Sequence, residues 1–283
     1  MGKNTIRTFV FMAALGGLLV LIGNVIGGAR GMGFFFIIAI AMNLGSYWFS
    51  DKIVLKMTRS RPVSEQDAPW LYRIVRELTT KAKMPMPRLF VMPAAQPNAF
   101  ATGRNPQHAA VAVTEGILQV LSEEELAGVL AHEISHVRNR DILIGAIAAA
   151  AAAGITMVAR MAMWGAMLGG GGDDRDRNPF VEMLAFLLAP IAAFMIQMAV
   201  SRSREAQADR SGAELLGDAT PLAQALIKIE SAVARTPELN VNPAVSHLFL
   251  HAPFHGKGMA KWFMSHPPLE QRLAQLRSMG ARV

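Results

Sequence analysis

Two histidines and a glutamate stand at a spacing that suits metal chemistry. His132, Glu133 and His136 form the motif HEISH. On a helix the two histidines lie one turn apart, so both imidazoles project from the same face and can bind one ion. Glu133 is one position away, where it can reach a water molecule at the metal without binding the metal itself. This H-E-x-x-H arrangement is typical of zinc peptidases, and two surface histidines beside a helical glutamate are the simpler alternative.

The helix that must carry this motif has a defined beginning. Ser122 is followed three residues later by Glu125, which is the pattern of a capping box, so we expect the helix to start there. Apolar residues then recur at helical spacing, namely Leu126, Val129, Leu130 and Val137. The pattern predicts an amphipathic helix with HEISH at its centre.

A third protein ligand is required, because a catalytic zinc takes three and leaves the fourth position to water. The chain has no cysteine, so histidine and carboxylate remain, and this donor set suits Zn²⁺. Glu205 and Asp209, in the segment SRSREAQAD, would share one face of a second helix. We expect Glu205 to bind the ion and Asp209 to fix the tautomer of a ligand histidine. Arg272 could pair with a carboxylate of this site, and a solvated helical face is the alternative.

The composition favours a membrane protein. The chain has 283 residues, of which 52% are apolar and 17% are charged, and its formal net charge is +7. The basic residues are scattered, and many flank apolar runs, where they meet anionic head groups. We therefore expect a lipid bilayer as partner and no nucleic acid. The absence of cysteine fits a reducing compartment.

Four long apolar runs organise the chain. Residues 9–28 and 31–50 contain no charged side chain, and each run can cross a bilayer core of about 30 Å. Residues 142–159 and 180–200 follow HEISH and enclose the polar turn GGGGDDRDRNP. The third run is rich in alanine and could instead pack within the protein. The pattern predicts two membrane-spanning helical hairpins.

These runs divide the chain into four parts. We expect an N-terminal transmembrane hairpin at 1–50, the first part of a metallopeptidase domain with the HEISH helix at 51–141, a second transmembrane hairpin at 142–200, and the second part of the metallopeptidase domain at 201–283. Lysine and arginine precede the first run and follow the second, so both ends of the first hairpin should face the cytoplasm. If the second hairpin also spans the membrane, residues 201–283 return to the same side, although Arg175 and Arg177 in its turn weaken the count for that hairpin.

The part between the hairpins combines helix and strand. Ser64 is expected to cap a helix that contains Pro69, and short strands are predicted at 88–92, 98–102 and 109–113. The fold class is therefore α+β, mainly helical with a small sheet beside the HEISH helix. The stretch NAFAT could present an exposed strand edge to which an extended substrate adds. The four residues concerned are Asn98, Ala99, Phe100 and Ala101. An ordinary internal strand is the alternative.

HEISH, the later SREAQAD, the NAFATG stretch and the two hairpins together resemble a known family of membrane zinc metallopeptidases. That family contains the HtpX heat-shock proteases and the CAAX prenyl endopeptidases, and the similarity to its HtpX members is greatest and covers nearly the whole chain. The resemblance implies a zincin-type domain with one Zn²⁺ per chain, His132, His136 and Glu205 as ligands, and Glu133 as catalytic base. It also implies proteolysis of damaged or misfolded membrane proteins at the cytoplasmic face of the bacterial inner membrane.

Further histidines lie near the C-terminus. The family has an HPP element there, so His266 in SHPPLEQR is the candidate oxyanion donor, although it could simply precede a helix that starts at proline. His247, His251 and His255 are spaced four apart. Pro253 interrupts any helix there, so a loop near the cleft is favoured over a second metal site.

Two other functional classes stay open. A non-catalytic membrane adaptor or chaperone could carry a relic metal site, although the intact ligands and base argue against it. An intramembrane protease would hold HEISH inside a span, but the charged stretches SEEEL and RNRD on either side place the motif outside the bilayer core. The leading hypothesis is a membrane-anchored zinc endopeptidase with polypeptide substrates. The residues indicate no oligomeric state.

Overall fold

The computed structural model describes residues 3–148, 202–251 and 267–283. Its helices are α1 Lys3–Met57, α2 Pro69–Lys81, α3 Glu115–Val120, α4 Glu123–Arg138, α5 Arg202–Leu216, α6 Thr220–Val233 and α7 Leu269–Ser278. Its strands are β1 Arg61–Pro62, β2 Arg88–Met92, β3 Ala99–Gly103 and β4 Ala109–Thr114. Short 3₁₀ helices span Pro106–His108 and Pro243–Leu248, and residues 142–148 are helical. The described chain is mainly helical with one small mixed sheet, which confirms the expected α+β class.

Helix α1 reverses direction near its middle. Gly28 has a φ of +54°, a left-handed conformation that glycine adopts without steric cost. The side-chain amide of Asn43 donates a hydrogen bond of 3.1 Å to the carbonyl of Met12, 31 residues earlier. A straight helix would separate those residues by about 46 Å. The backbones cross closely at Gly31, where an added Cβ would lie 2.1 Å from the carbonyl oxygen of Gly23. The two halves of α1 therefore lie side by side.

The second half of α1 is the candidate membrane span. Gly28–Met57 is the only helix within the described ranges that is long and apolar enough to cross a membrane. Large apolar side chains on it are exposed, among them Phe34 and Ile37 at 62% and 67%. Such a surface fits contact with lipid better than contact with water. The second predicted hairpin, 142–200, lies almost entirely outside the described residues.

The sheet has the strand order β1-β2-β4-β3, with β2 and β4 parallel and the other neighbours antiparallel. Successive side chains along each strand point to opposite faces of the sheet, so they enter two different hydrophobic cores. One face packs against the helices through Leu89, Ala99, Ala101, Val111 and Val113. The other face packs against the end of α1 and residues 239–249 through Phe90, Met92, Phe100, Ala110 and Ala112. The three predicted strands are confirmed, to within one residue at their ends.

Helix α4 lies at the centre of the helical layer, between α5 and α6. Two glycines allow this close packing. A Cβ at Gly128 would lie 2.5 Å from the backbone nitrogen of Leu222 on α6. A Cβ at Gly212 on α5 would lie 2.8 Å from the backbone nitrogen of His132. Helix α5 is therefore fixed against α4 at the level of the first histidine.

The predicted helix start at Ser64 is wrong. Helix α2 begins at Pro69. Ser64 instead closes a turn with Asp67: its backbone N–H donates to the Asp67 carboxylate at 3.1 Å, and the Asp67 N–H donates to the Ser64 hydroxyl at 3.3 Å. A serine that forms such a local turn competes with helix formation rather than capping it.

Candidate metal centre

Helix α4 begins as the sequence predicts. The Ser122 hydroxyl accepts from the backbone N–H of Glu125, and the Glu125 carboxylate accepts from the N–H of Ser122 at 2.9 Å. Three glutamates in the first turn also suit the positive end of the helix dipole. Lys228 of α6 pairs with Glu125 at 2.7 Å, which ties this end of α4 to its neighbour. The capping box thereby fixes the start of the helix that carries HEISH.

The three predicted ligands come together. The Nε2 atoms of His132 and His136 lie 3.2 Å apart. The two oxygens of the Glu205 carboxylate approach different imidazoles: Oε2 lies 3.6 Å from Nε2 of His132, and Oε1 lies 3.5 Å from Nε2 of His136. A tetrahedral zinc with bonds of about 2.0–2.1 Å would hold its ligand atoms roughly 3.3–3.4 Å apart. The three side chains therefore form a triangle of about the size that one zinc ion needs, with one ligand atom from each within 4.8 Å of the others.

A buried ion pair orients the first histidine. The Asp209 carboxylate lies 2.8 Å from Nδ1 of His132, and Arg272 of α7 donates to both of its oxygens, at 2.6 and 2.9 Å. Burial raises the pKa of Asp209, but the charge of Arg272 and the hydrogen bond from His132 outweigh it and hold the pKa well below its usual range. The ionised Asp209 thus keeps the proton of His132 on Nδ1 and leaves Nε2 as the ligand atom.

The second histidine has a partner that the sequence motifs did not indicate. Nδ1 of His136 lies 3.3 Å from the carboxylate of Asp141, which follows the end of α4. Burial lowers the pKa of His136, but the charges of Glu205 and Glu133 and the hydrogen bond to Asp141 outweigh it and raise the pKa to about 10. The surroundings are therefore strongly negative and suit a cation. The acidic residue five positions after His136 was the available signal.

A small pocket opens beside the ligand triangle. Its volume is about 50 Å³, enough for a few water molecules. Glu133 lines it together with His136 and Glu205. Two basic side chains that the sequence motifs did not indicate as site residues, Arg204 and His247, also line it. Arg204 directly precedes Glu205, so its position on α5 could have indicated it.

The predicted substrate strand is an edge strand, but its first positions are occupied. The Asn98 side chain donates to the carbonyl of His251 and accepts from its N–H, at 2.8 and 3.0 Å. The Ala99 carbonyl accepts from the N–H of Leu250 at 2.9 Å. Phe100 points into the core, where its ring meets that of Phe249 at 5.1 Å. Leu250 and His251 of the same chain therefore already occupy this part of the strand edge.

Ala101 is placed differently. It lines the pocket with Glu133. Backbone groups in an antiparallel pair alternate in direction along the strand. Because the Ala99 carbonyl points away from β4, the N–H and carbonyl of Ala101 point away from β4 as well. Of the four predicted substrate residues, Ala101 is the one that the structure brings to the pocket.

Of the histidines near the C-terminus, the two that the structure describes, His247 and His251, have different partners. His266 and His255 lie outside the described residues. Nε2 of His247 contacts the carbonyl of Gly145 at 3.0 Å, whereas Nε2 of His251 pairs with Glu230 at 2.7 Å. His247 therefore belongs to a short 3₁₀ segment beside the cleft, in line with the loop that the sequence favours.

Comparisons with known proteins identify the family of the chain. The model of peptidase family M48 matches residues 65–280. A protease HtpX homolog of Pelotomaculum thermopropionicum is 52% identical and covers 98% of this chain and 99% of the relative. Homologs of the same name from Syntrophotalea carbinolica and Pyrococcus furiosus are 53% and 51% identical, covering 98% and 97% of this chain and 99% and 95% of theirs.

The crystal structure of S. mikatae Ste24p is 20% identical with a TM-score of 0.49, and the match covers 97% of this chain and 65% of that one. The family match and the HtpX relatives confirm the family resemblance and the expected metallopeptidase activity. The HtpX relatives and the apolar helix Gly28–Met57 together mark a membrane protein. Because the family model spans most of its length, the chain belongs to peptidase family M48.

Proposed function

We propose that the chain is a membrane-anchored, zinc-dependent endopeptidase that cleaves damaged or misfolded membrane proteins at the cytoplasmic face of the bacterial inner membrane. The observation that carries the proposal is the cluster of His132, His136 and Glu205, whose side chains approach one another pairwise at 3.2 to 3.6 Å beside a pocket lined by Glu133. Two imidazoles and one carboxylate with an open fourth position are the donor set of a catalytic zinc.

Each nearby side chain then has a distinct role in amide hydrolysis. Bound zinc would supply Lewis acidity, which acidifies water and polarises the scissile carbonyl. Glu133 takes a proton from the attacking water and delivers it to the leaving amine nitrogen. Asp209 and Asp141 each hold a proton on Nδ1 of a ligand histidine. His266 stays a prediction for the oxyanion donor.

The membrane arrangement is part of the proposal. The four-part division of the chain at 1–50, 51–141, 142–200 and 201–283 places a hairpin before each half of the peptidase domain. The basic residues that flank the first hairpin support a cytoplasmic position for both halves. A catalytic cleft near the head groups would meet polypeptide that emerges from the bilayer.

The decisive experiment uses the full chain in detergent. We expect one zinc per chain by elemental analysis, and cleavage of a misfolded membrane protein that stops with a chelator and returns with zinc. Cleavage that continues without metal would contradict the mechanism, and zinc binding without any cleavage would favour the relic-site adaptor. Orientation is tested separately, by protease accessibility of the C-terminus in inverted membrane vesicles.

Breaking the ion pair between Arg272 and Asp209, which orients His132, should lower the affinity for zinc. Arg272→Gln leaves the buried Asp209 carboxylate without its guanidinium, and we expect zinc affinity to fall about 10–100-fold. The free energy of unfolding should drop by about 3–5 kcal/mol, because a buried charge loses its partner. Zinc competition against a fluorescent chelator measures the first effect. Arg277→Gln, on an exposed part of the same helix, is the control, and equal affinities in both variants would contradict the role of Arg272.

Blocking the edge of β3 at Ala101 should weaken substrate binding. Ala101→Pro removes an N–H that points away from β4, so the sheet is retained while the main-chain contact to an added strand is lost. We expect KM for an extended peptide to rise at least about fivefold, the worth of one hydrogen bond, with unchanged zinc content. Ala101→Ser keeps the N–H and should behave like the parent. If the proline variant keeps the parent KM, substrate does not pair with Ala101.

A further inference from the structure

A second pocket lies at the end of the membrane helix. Its volume is about 510 Å³, and its described lining shares no residue with the pocket beside the metal cluster. One wall is the end of the uncharged stretch of α1, with Trp48 and Phe49. Another wall is the connection between β3 and β4, which begins at Arg104. The pocket is therefore formed jointly by the membrane helix and the soluble sheet.

The charge of this pocket is positive. Its lining contains three lysine or arginine residues, namely Lys52, Arg88 and Arg104, together with His108, and Asp51 is the one acidic residue among the described lining. Arg88 pairs with Asp51 at 2.5 Å, which neutralises both. Lys52 and Arg104 make no ion pair within the described part of the chain. Two positive charges are thus left for a ligand.

Both of these cations are held at the aromatic border of the helix. The guanidinium of Arg104 lies 4.5 Å from the centre of the Trp48 ring and donates to the Trp48 carbonyl at 3.4 Å. The ammonium of Lys52 lies 5.6 Å from the centre of the Phe49 ring. Trp48 and Phe49 are themselves half exposed, at 51% and 53%. Stacking on a ring orients a cation and still leaves its other donors available.

The depth of the pocket identifies the class of ligand. The uncharged stretch of the helix ends at Ser50, so Trp48 and Lys52 lie where the bilayer core gives way to head groups. An arginine fork binds two phosphate oxygens, and a lysine adds a point charge. The exposed ring of Phe49 offers an apolar surface for the adjoining acyl chain. We propose that this pocket binds the phosphate of an anionic glycerophospholipid of the phosphatidylglycerol type.

The test measures lipid retention on the full chain. The protein is delipidated in a neutral detergent, and phosphatidylglycerol and phosphatidylcholine are titrated in competition while native mass spectrometry counts the bound lipid. Each basic side chain near a head group is worth about a factor of five for an anionic lipid. We expect the parent to retain one phosphatidylglycerol with at least about tenfold preference, and Lys52→Gln/Arg104→Gln to lose it. Lys81→Gln/Arg235→Gln removes the same charge from exposed positions outside the pocket and should keep the preference.

Two further measurements distinguish the phosphate of a lipid from free phosphate and test a variant that keeps its fold. Inorganic phosphate at 50 mM should not displace the lipid, whereas equal competition would assign the pocket to free phosphate and overturn the proposal. Arg104→Lys keeps the charge without the fork, so we expect it to retain an intermediate preference with a melting temperature near that of the parent. An unchanged preference in Lys52→Gln/Arg104→Gln, or the same loss in the control variant, would overturn the proposal as well.

Discussion

Glu133→Gln is expected to reduce kcat by about 10² to 10⁴, while zinc content and melting temperature stay near those of the parent. Glutamine has the size of glutamate, so the packing of this buried position is kept. It cannot take a proton from water, which is the step that we assign to Glu133. The measurement is initial cleavage of a fluorogenic peptide by the full chain in detergent, with zinc determined on the same sample.

A matched control lies on the same helix. Glu124→Gln makes the same change of charge and shape at an exposed position in the first turn of α4. We expect it to cleave like the parent. Parental turnover by Glu133→Gln would remove Glu133 as the base, and loss of zinc in that variant would show that the residue instead supports the metal.

The second large effect concerns the ligand from α5. Glu205→Ala removes one of the three ligands, a carboxylate whose oxygens lie 3.5 and 3.6 Å from the two imidazole Nε2 atoms. We therefore expect zinc to fall below detection after dialysis and cleavage to be lost with it. This loss of zinc affinity should exceed the loss of about 10–100-fold that is typical when a residue that only supports a ligand, such as Arg272, is replaced. Elemental analysis after dialysis against a metal-free buffer measures it.

The control for this variant is Glu214→Gln, an exposed position on the same helix. It should retain one zinc per chain. Circular dichroism should show that the Glu205→Ala protein stays folded, because α5 also packs on α4 through the close approach of Gly212 to His132. Full zinc occupancy in Glu205→Ala would exclude Glu205 as a ligand.

Local patterns in the sequence predict most of the secondary structure around the site. The capping box predicts the start of α4, because Ser122 and Glu125 satisfy each other within one turn. The alternation of apolar residues predicts the strands, since each face of the sheet meets a different core. HEISH and SREAQAD predict which helices face each other, and α4 and α5 do lie in contact.

Contacts between distant parts of the chain are what local patterns leave out. Asn98 looks like part of a substrate strand, but its side chain is engaged by His251, 153 residues later. Nothing in NAFAT signals that contact. From the sequence, Arg272 could pair with any of several carboxylates, and Asp209 was only one of them. Helix periodicity predicts on which face of a helix a residue lies, but it does not predict which residue of another helix it contacts. The close approach of Gly212 to His132 depends on tertiary packing in the same way.

The parts of the metal cluster stand far apart along the chain, and this has a consequence for biosynthesis. Roughly seventy residues separate His136 from Glu205, and Arg272 follows Asp209 by a further 63 residues. At a translation rate of about 5–20 residues per second, the first helix waits about 4–14 seconds for its third ligand. The guanidinium of Arg272, which neutralises Asp209, is synthesised later still. A nascent chain that has not reached Glu205 therefore lacks a metal ligand, and one that has not reached Arg272 lacks the ion pair that orients His132.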